Sequence, residues 1–184
     1  MFKNKGKMMT SFTSSQAPIV LTEEGRTRFE KEIAELHQRY LDLCEERTRA
    51  HALSGDGWHD NPYFNKLQQE EAKMSQTLAL MREQLRTARV VSIDTQNRPT
   101  EKVRLGSIVQ LRVEWTDQDR EAEESVWEVV GYGESDPDQR RLAYTAPLIQ
   151  AVIGAEEGEE RSVQLKEDRV DIEVVRLYSD WSEL

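Results

Sequence analysis

The chain has 184 residues, 37% hydrophobic and 33% charged, with a formal net charge of −10; this describes a wet surface and a modest core rather than one compact globule. Residues 1–95 carry 14 basic and 14 acidic side chains, leaving 11 and 21 for residues 96–184, so the second half is a poor surface for gripping duplex DNA by its phosphates. The single cysteine, Cys44, excludes an internal disulfide and no apolar run approaches the ~20 residues of a membrane span, so a reducing cytoplasm is the expected home.

Residues 1–18 are basic at Lys3, Lys5 and Lys7 and lack an apolar run; they read as a mobile tail. From Thr22 the pattern turns helical. Phe29, Ile33, Leu36, Tyr40, Leu43, Arg47, Ala50 and Ser54 recur in threes and fours, a heptad seam. Thr22 is the expected N-cap, with Glu23 and Glu24 in the first turn where negative charge suits the helix dipole. Gly55, Asp56 and Gly57 end the helix, because glycine is costly inside a helix and natural in a turn. Asn61 and Pro62 then supply an N-cap and a first helical residue. The seam resumes at Phe64, Leu67, Glu71, Met74, Leu78, Met81, Leu85 and Ala88.

Neither helix can bury its seam alone, and a short connection favours antiparallel neighbours, so residues 19–94 are expected to form a helical hairpin with arms of about 45 Å. Arg47 and Glu71 are expected to face each other across the seam near the tip, fixing register at some cost in stability. The turn Ser54–Asn61 gathers Asp56, Trp58, His59 and Asp60 far from any other core. Two readings stay open from spacing alone: a well-made turn with Trp58 folded back on the helices, or an acidic loop with a function.

Beyond Asp94 the period changes. Residues 95–102, with Asn97 and Pro99, read as a linker. Val109, Leu111, Val113 and Trp115 alternate with polar neighbours, as do Val163 and Leu165 and the stretch from Val170 to Tyr178; these are expected antiparallel strands. Glu128–Val130 and Leu142–Thr145 add short strands, Asp117–Glu124 reads as an acidic hairpin loop, and Pro147–Ile153 reads as a brief helix ended by Gly154. The whole is an α+β chain, a long coiled-coil hairpin followed over residues 103–184 by a small antiparallel β domain. No phosphate-binding glycine loop, GxSxG or HExxH motif occurs, so no self-contained catalytic arrangement is expected.

Several motifs now line up in order. Val20–Gly25 (VLTEEG) with Phe29 and Glu35–Leu36, the tip residues Gly55–Asp56 and Asp60–Asn61, Val103–Gly106 with Val109, Val129–Gly131, and Ala146–Gly154 followed by Glu157–Gly158 run through the chain. Together they resemble the Gre transcript-cleavage factor family of transcription elongation factors, GreA/GreB-like, from about Ile19 to Tyr178. The resemblance implies an FKBP-like C-terminal domain that docks on bacterial RNA polymerase through Ala146, Pro147 and Leu148, and a coiled coil that enters the polymerase secondary channel. It further implies that the tip acids, matched here by Asp56 and Asp60, help hold the second Mg²⁺ at the polymerase active site near the nascent RNA 3′ end, with Gly55, Gly57, Trp58, His59, Asn61 and Phe64 supporting the tip. The polymerase would then cut its own backtracked RNA, and this chain, a monomer with no stably bound cofactor, would not itself be an enzyme.

The tip departs from the family pattern. Asp60 matches the family's glutamate only across one extra residue, and Phe64 stands where the family has tyrosine. Ala146 and Ala155 replace a serine and a lysine. Two other functions therefore stay in view: a secondary-channel regulator that does not promote cleavage, and, more distantly, an isomerase or chaperone acting through the FKBP-like domain. Bare spacing also leaves a weak metal-site reading for His51, Asp56, His59 and Asp60.

Overall fold

The computed structural model describes residues 18–55, 61–115, 120–165 and 168–184. The expected N-terminal tail up to Ala17 and the tip residues Asp56–Asp60 lie outside the described residues, as do residues 116–119, which include the start of the expected acidic loop Asp117–Glu124.

Strand β1 (Val20–Thr22) leads directly into α1 (Glu23–Ser54). Thr22 is extended and its hydroxyl accepts from the Gly25 amide at 2.9 Å, the cap its side chain was expected to provide. Helix α2 (Pro62–Thr87) runs back along α1. At 1.5 Å per residue the two helices measure about 48 Å and about 39 Å. α2 stops one residue short of the expected Ala88, which becomes its C-cap, and the chain continues as β2 (Arg89–Val91). β2 pairs in parallel with β1, Val20 opposite Arg89 and Thr22 opposite Val91, which clasps the two helices at their base.

The seam packs as two clusters. Leu21, Phe29, Ile33 and Leu78, joined by Leu36, Tyr40, Met81 and Leu85, fill the basal half. Leu43, Ala50 and Leu67, joined by Met74, fill the distal half. The outer faces are solvated and carry short-range ion pairs such as Arg26 with Glu30 and Arg49 with Glu45, exposed to water and weakened by solvent screening.

The rest is a five-stranded sheet in the order β5–β4–β3–β7–β6, built from β3 (Ile108–Trp115), β4 (Glu123–Val130), β5 (Arg141–Ala143), β6 (Glu160–Leu165) and β7 (Asp168–Tyr178). All pairings are antiparallel except β4 with β5. Helix α3 (Pro147–Val152) covers one face with Ile149 and Val152, both fully buried against Val109, Leu111, Val170, Ile172 and Val174. β4 begins earlier than its composition suggests. Glu123 and Glu124, assigned to an acidic loop from sequence, pair with Val113 and Arg112 of β3; backbone pairing and the facing Arg112 and Gln110 side chains outweigh low strand propensity there.

One irregularity decides which side chains reach the core. The β3/β7 register shifts between Gln110, opposite Arg176, and Leu111, opposite Val174, so Val175 is an extra residue on β7. A bulge of this kind reverses the alternation. Val170, Ile172 and Val174 therefore share a core with Leu177, an odd number of residues further on.

Candidate functional site

The distal end of the hairpin is built from both helices. α1 ends on Gly55, whose φ of +54° and ψ of −138° suit glycine. The Asn61 side-chain oxygen accepts from the amides of Tyr63 and Phe64 at 3.0 and 3.3 Å, capping α2 as expected. Its amide nitrogen donates to the Ser54 hydroxyl, which in turn donates to the Ala50 carbonyl at 2.7 Å. The two residues that flank the acidic tip are thus hydrogen-bonded to each other. Asp60 is bonded covalently to Asn61, and Asp56 lies two residues from Ser54.

Behind this closure, Phe64 is buried at 3% exposure and its ring lies 5.6 Å from that of His51 at a 54° tilt. Tyr63 adds a second strap by donating to the Glu46 carboxylate on α1. That hydrogen bond, and after it the desolvation of the hydroxyl, raises Tyr63 above its ordinary pKa. Sequence reasoning missed both straps. Their signal was present only as polar residues near the two helix ends, and nothing in the heptad spacing pairs them.

Arg47 and Glu71 do meet across the seam, their contacting atoms inaccessible to solvent while 33% and 21% of the side chains remain exposed. This partial exposure places the pair between a surface bridge and a buried one. Glu71→Ala alone should cost about 1–2 kcal/mol by leaving Arg47 unpaired, whereas joint Arg47→Leu and Glu71→Leu substitution should leave stability unchanged or raise it. Urea midpoints of the two variants decide the point; a double variant as unstable as the single would contradict it.

The expected docking residues sit at the N-terminus of α3. Pro147 is exposed at the first helical position, Ala146 and Leu148 are half-buried, and the Ala146 amide donates to Ala143 at 2.8 Å. Arg161 braces the other end of α3 by donating to the carbonyls of Ala151 and Ile153 at 3.3 and 3.1 Å. Ala146 also borders a cleft of about 500 Å³ at the base of the hairpin, shared with Arg28, Phe29, Met81 and Tyr132.

At that base the hairpin is tied to the sheet. The Tyr132 amide donates to the Val20 carbonyl at 2.8 Å, the Val20 amide donates to the Tyr144 hydroxyl at 3.1 Å, and the Phe29 and Tyr132 rings meet edge to face at 6.2 Å. Arg98, within the expected linker, is buried and donates to Gly106 and Glu128 at 2.8 and 2.9 Å, so this segment is pinned to β4. Among the described residues, no group of three His, Cys, Asp or Glu side chains is placed to hold a metal ion, and no helix is long and apolar enough to cross a membrane.

A long helical hairpin clasped to a small β-sheet domain, with acidic residues in the short segment that joins its helices, defines an arm-bearing class of protein. The family model described as transcription elongation factor GreA/GreB, C-terminal, matches residues 98–179. The transcription elongation factor GreA of a Nitratiruptor species is 31% identical over 159 residues, covering 86% of this chain and 91% of that protein. That of Roseiflexus castenholzii is 26% identical over 166 residues, covering 89% and 99%. Among solved structures, the GreA factor homolog Gfh1 of Thermus thermophilus is similar at 20% identity and a TM-score of 0.40, covering 88% of this chain and 99% of that one. The chain belongs to the GreA/GreB family of transcription elongation factors.

Proposed function

We propose that this chain binds bacterial RNA polymerase, passes its hairpin into the secondary channel and stimulates cleavage of backtracked nascent RNA. The observation that supports the reading is the closed arm: two helices packed along their seam as far as Phe64 and joined by the Asn61–Ser54 bond, with Asp56 and Asp60 in the short connection between them. Such an arm is thin enough for a channel. Ala146, Pro147 and Leu148 dock on the polymerase, and the basal clasp sets the arm against that docking surface.

Asp56 and Asp60 are donors of the type that Mg²⁺ accepts, a hard cation bound by few protein carboxylates and several waters. A second Mg²⁺ in the polymerase active site supplies charge stabilisation for hydrolysis of the RNA phosphodiester. The chain contributes carboxylates and a means of delivering them; the metal and the bond cleavage belong to the polymerase. The deciding experiment is a stalled, backtracked elongation complex. Added protein should speed shortening of the RNA 3′ end, and no acceleration would overturn the cleavage role. One feature favours a second reading: the extra residue that separates Asp60 from the family's spacing. Altered pausing or initiation with no RNA shortening would support a regulator that occupies the channel without promoting cleavage.

A further inference from the structure

Outside the tip, the described residue whose environment calls most for an explanation is Glu134. It is 1% exposed, on the turn that follows β4, yet neither hydrogen bond that its carboxylate accepts comes from its own domain. The carboxylate accepts from the Thr22 amide at 2.9 Å and from the Thr22 hydroxyl at 2.7 Å. Thr22 is the N-cap of α1, so the same hydroxyl that starts the arm also ends on the sheet domain. Two glycines admit the carboxylate. A Cβ at Gly25 would lie 1.9 Å from it and one at Gly131 2.0 Å, so a glycine from each side of the junction makes room for this one side chain.

A buried carboxylate is costly to desolvate, and apolar residues of similar volume commonly stabilise such a position as well or better. What the carboxylate adds is direction. Two charge-assisted hydrogen bonds to one residue fix an orientation that apolar packing does not. The junction needs that, because the arm is a lever: at about 48 Å, a tilt of about 10° at its base displaces the tip by about 8 Å. A misplacement of about 1 Å can already cost about a hundredfold in a reaction that depends on positioning.

We infer that Glu134 is a positioning residue, which sets through Thr22 the angle at which the hairpin leaves the sheet domain and hence where the acidic tip arrives. The inference rests on the proposed polymerase function for its consequence, but the angle itself can be measured on the free protein.

The experiment places spin labels at Lys66→Cys on the arm and Arg169→Cys on the sheet, both exposed positions, in a full-length Cys44→Ser background. Their distance distribution is read by pulsed electron resonance. Glu134→Ala should at least double the width of the distribution with helical content by circular dichroism unchanged, and should lower stimulation of RNA shortening at least tenfold. Glu134→Gln, which keeps one acceptor for Thr22, should fall between, and Thr22→Ser, which keeps the hydroxyl, should match the wild type. An unchanged width in Glu134→Ala would overturn the inference, as would a broadened width with undiminished stimulation. If the alanine variant unfolds, Glu134→Gln decides: a width above wild type supports the role and an equal width overturns it. If the wild type stimulates no cleavage at all, the polymerase reading fails separately and the width alone decides the angle.

Discussion

Asp56→Ala should leave the affinity for polymerase unchanged and lower the maximal rate of RNA shortening by about a hundredfold, the scale of removing one preorganised charge-stabilising group. The separation follows from where binding and chemistry lie. In the proposed function the arm and the α3 residues Ala146, Pro147 and Leu148 would provide the contact surface, while the carboxylate would act on charge that develops during cleavage. A group of that kind shows in the maximal rate and not in the half-saturating concentration. Asp60→Ala should have the same signature with a smaller loss, because Asp60 reaches the family position only across an extra residue. Titrating each variant into a backtracked complex separates the two parameters. Full activity in both variants would remove the aspartates from the mechanism, and a weakened affinity with an unchanged maximal rate would make them binding residues.

Phe64→Ala should open the distal hairpin. Phe64 is 3% exposed and packs on His51 at the end of the seam, and deleting a buried phenyl costs about 3–5 kcal/mol when the site cannot collapse. The hairpin core is divided into basal and distal clusters, with Arg47 and Glu71 lying in the distal half. The loss should therefore be local. Hydrogen exchange should show lower protection for amides from Leu43 to Ser54 and from Phe64 to Met74, while β3 and β7 keep theirs. Phe64→Leu, which retains most of the buried volume, should cost about 1 kcal/mol. Loss of protection throughout the sheet would mean that the two parts of the chain unfold together, contrary to this expectation. On the proposed function, Phe64→Ala should also reduce cleavage stimulation with Asp56 and Asp60 intact.

The elements that were legible in the sequence are those whose causes are local. The caps at Thr22 and Asn61 are short-range hydrogen bonds from residue types that make them well. The seam from Phe29 to Ser54 and from Phe64 to Leu85 is a repeat that only a helix can place on one face, and the Arg47–Glu71 pair follows once the two seams are laid antiparallel. Alternation likewise marks β3 and most of β7. The acidic start of β4 was not legible, since Glu123 and Glu124 are in a strand because β3 pairs with them, not because of their own preference.

The candidate site divides along the same line. Residue types and order alone determine that two seam-bearing helices are joined by a short acidic segment, that Asp56 and Asp60 are its acids, and that a β domain follows, because each depends on neighbours close along the chain. Tertiary structure alone decides that Ser54 and Asn61 close the tip, that Tyr63 and Glu46 strap it, that Val175 is the extra residue that brings Leu177 into the core, and that Glu134 meets Thr22 across 112 positions. These contacts join residues that share no periodicity: Ser54 and Asn61 lie only seven positions apart, but nothing in the pattern pairs them, and Thr22 and Glu134 fall in no common window of sequence. The tip contacts exist only once the two helices have packed, the bulge only once β3 and β7 have paired, and the Glu134–Thr22 contact only once the sheet and the hairpin have met, which is what gives the arm a direction.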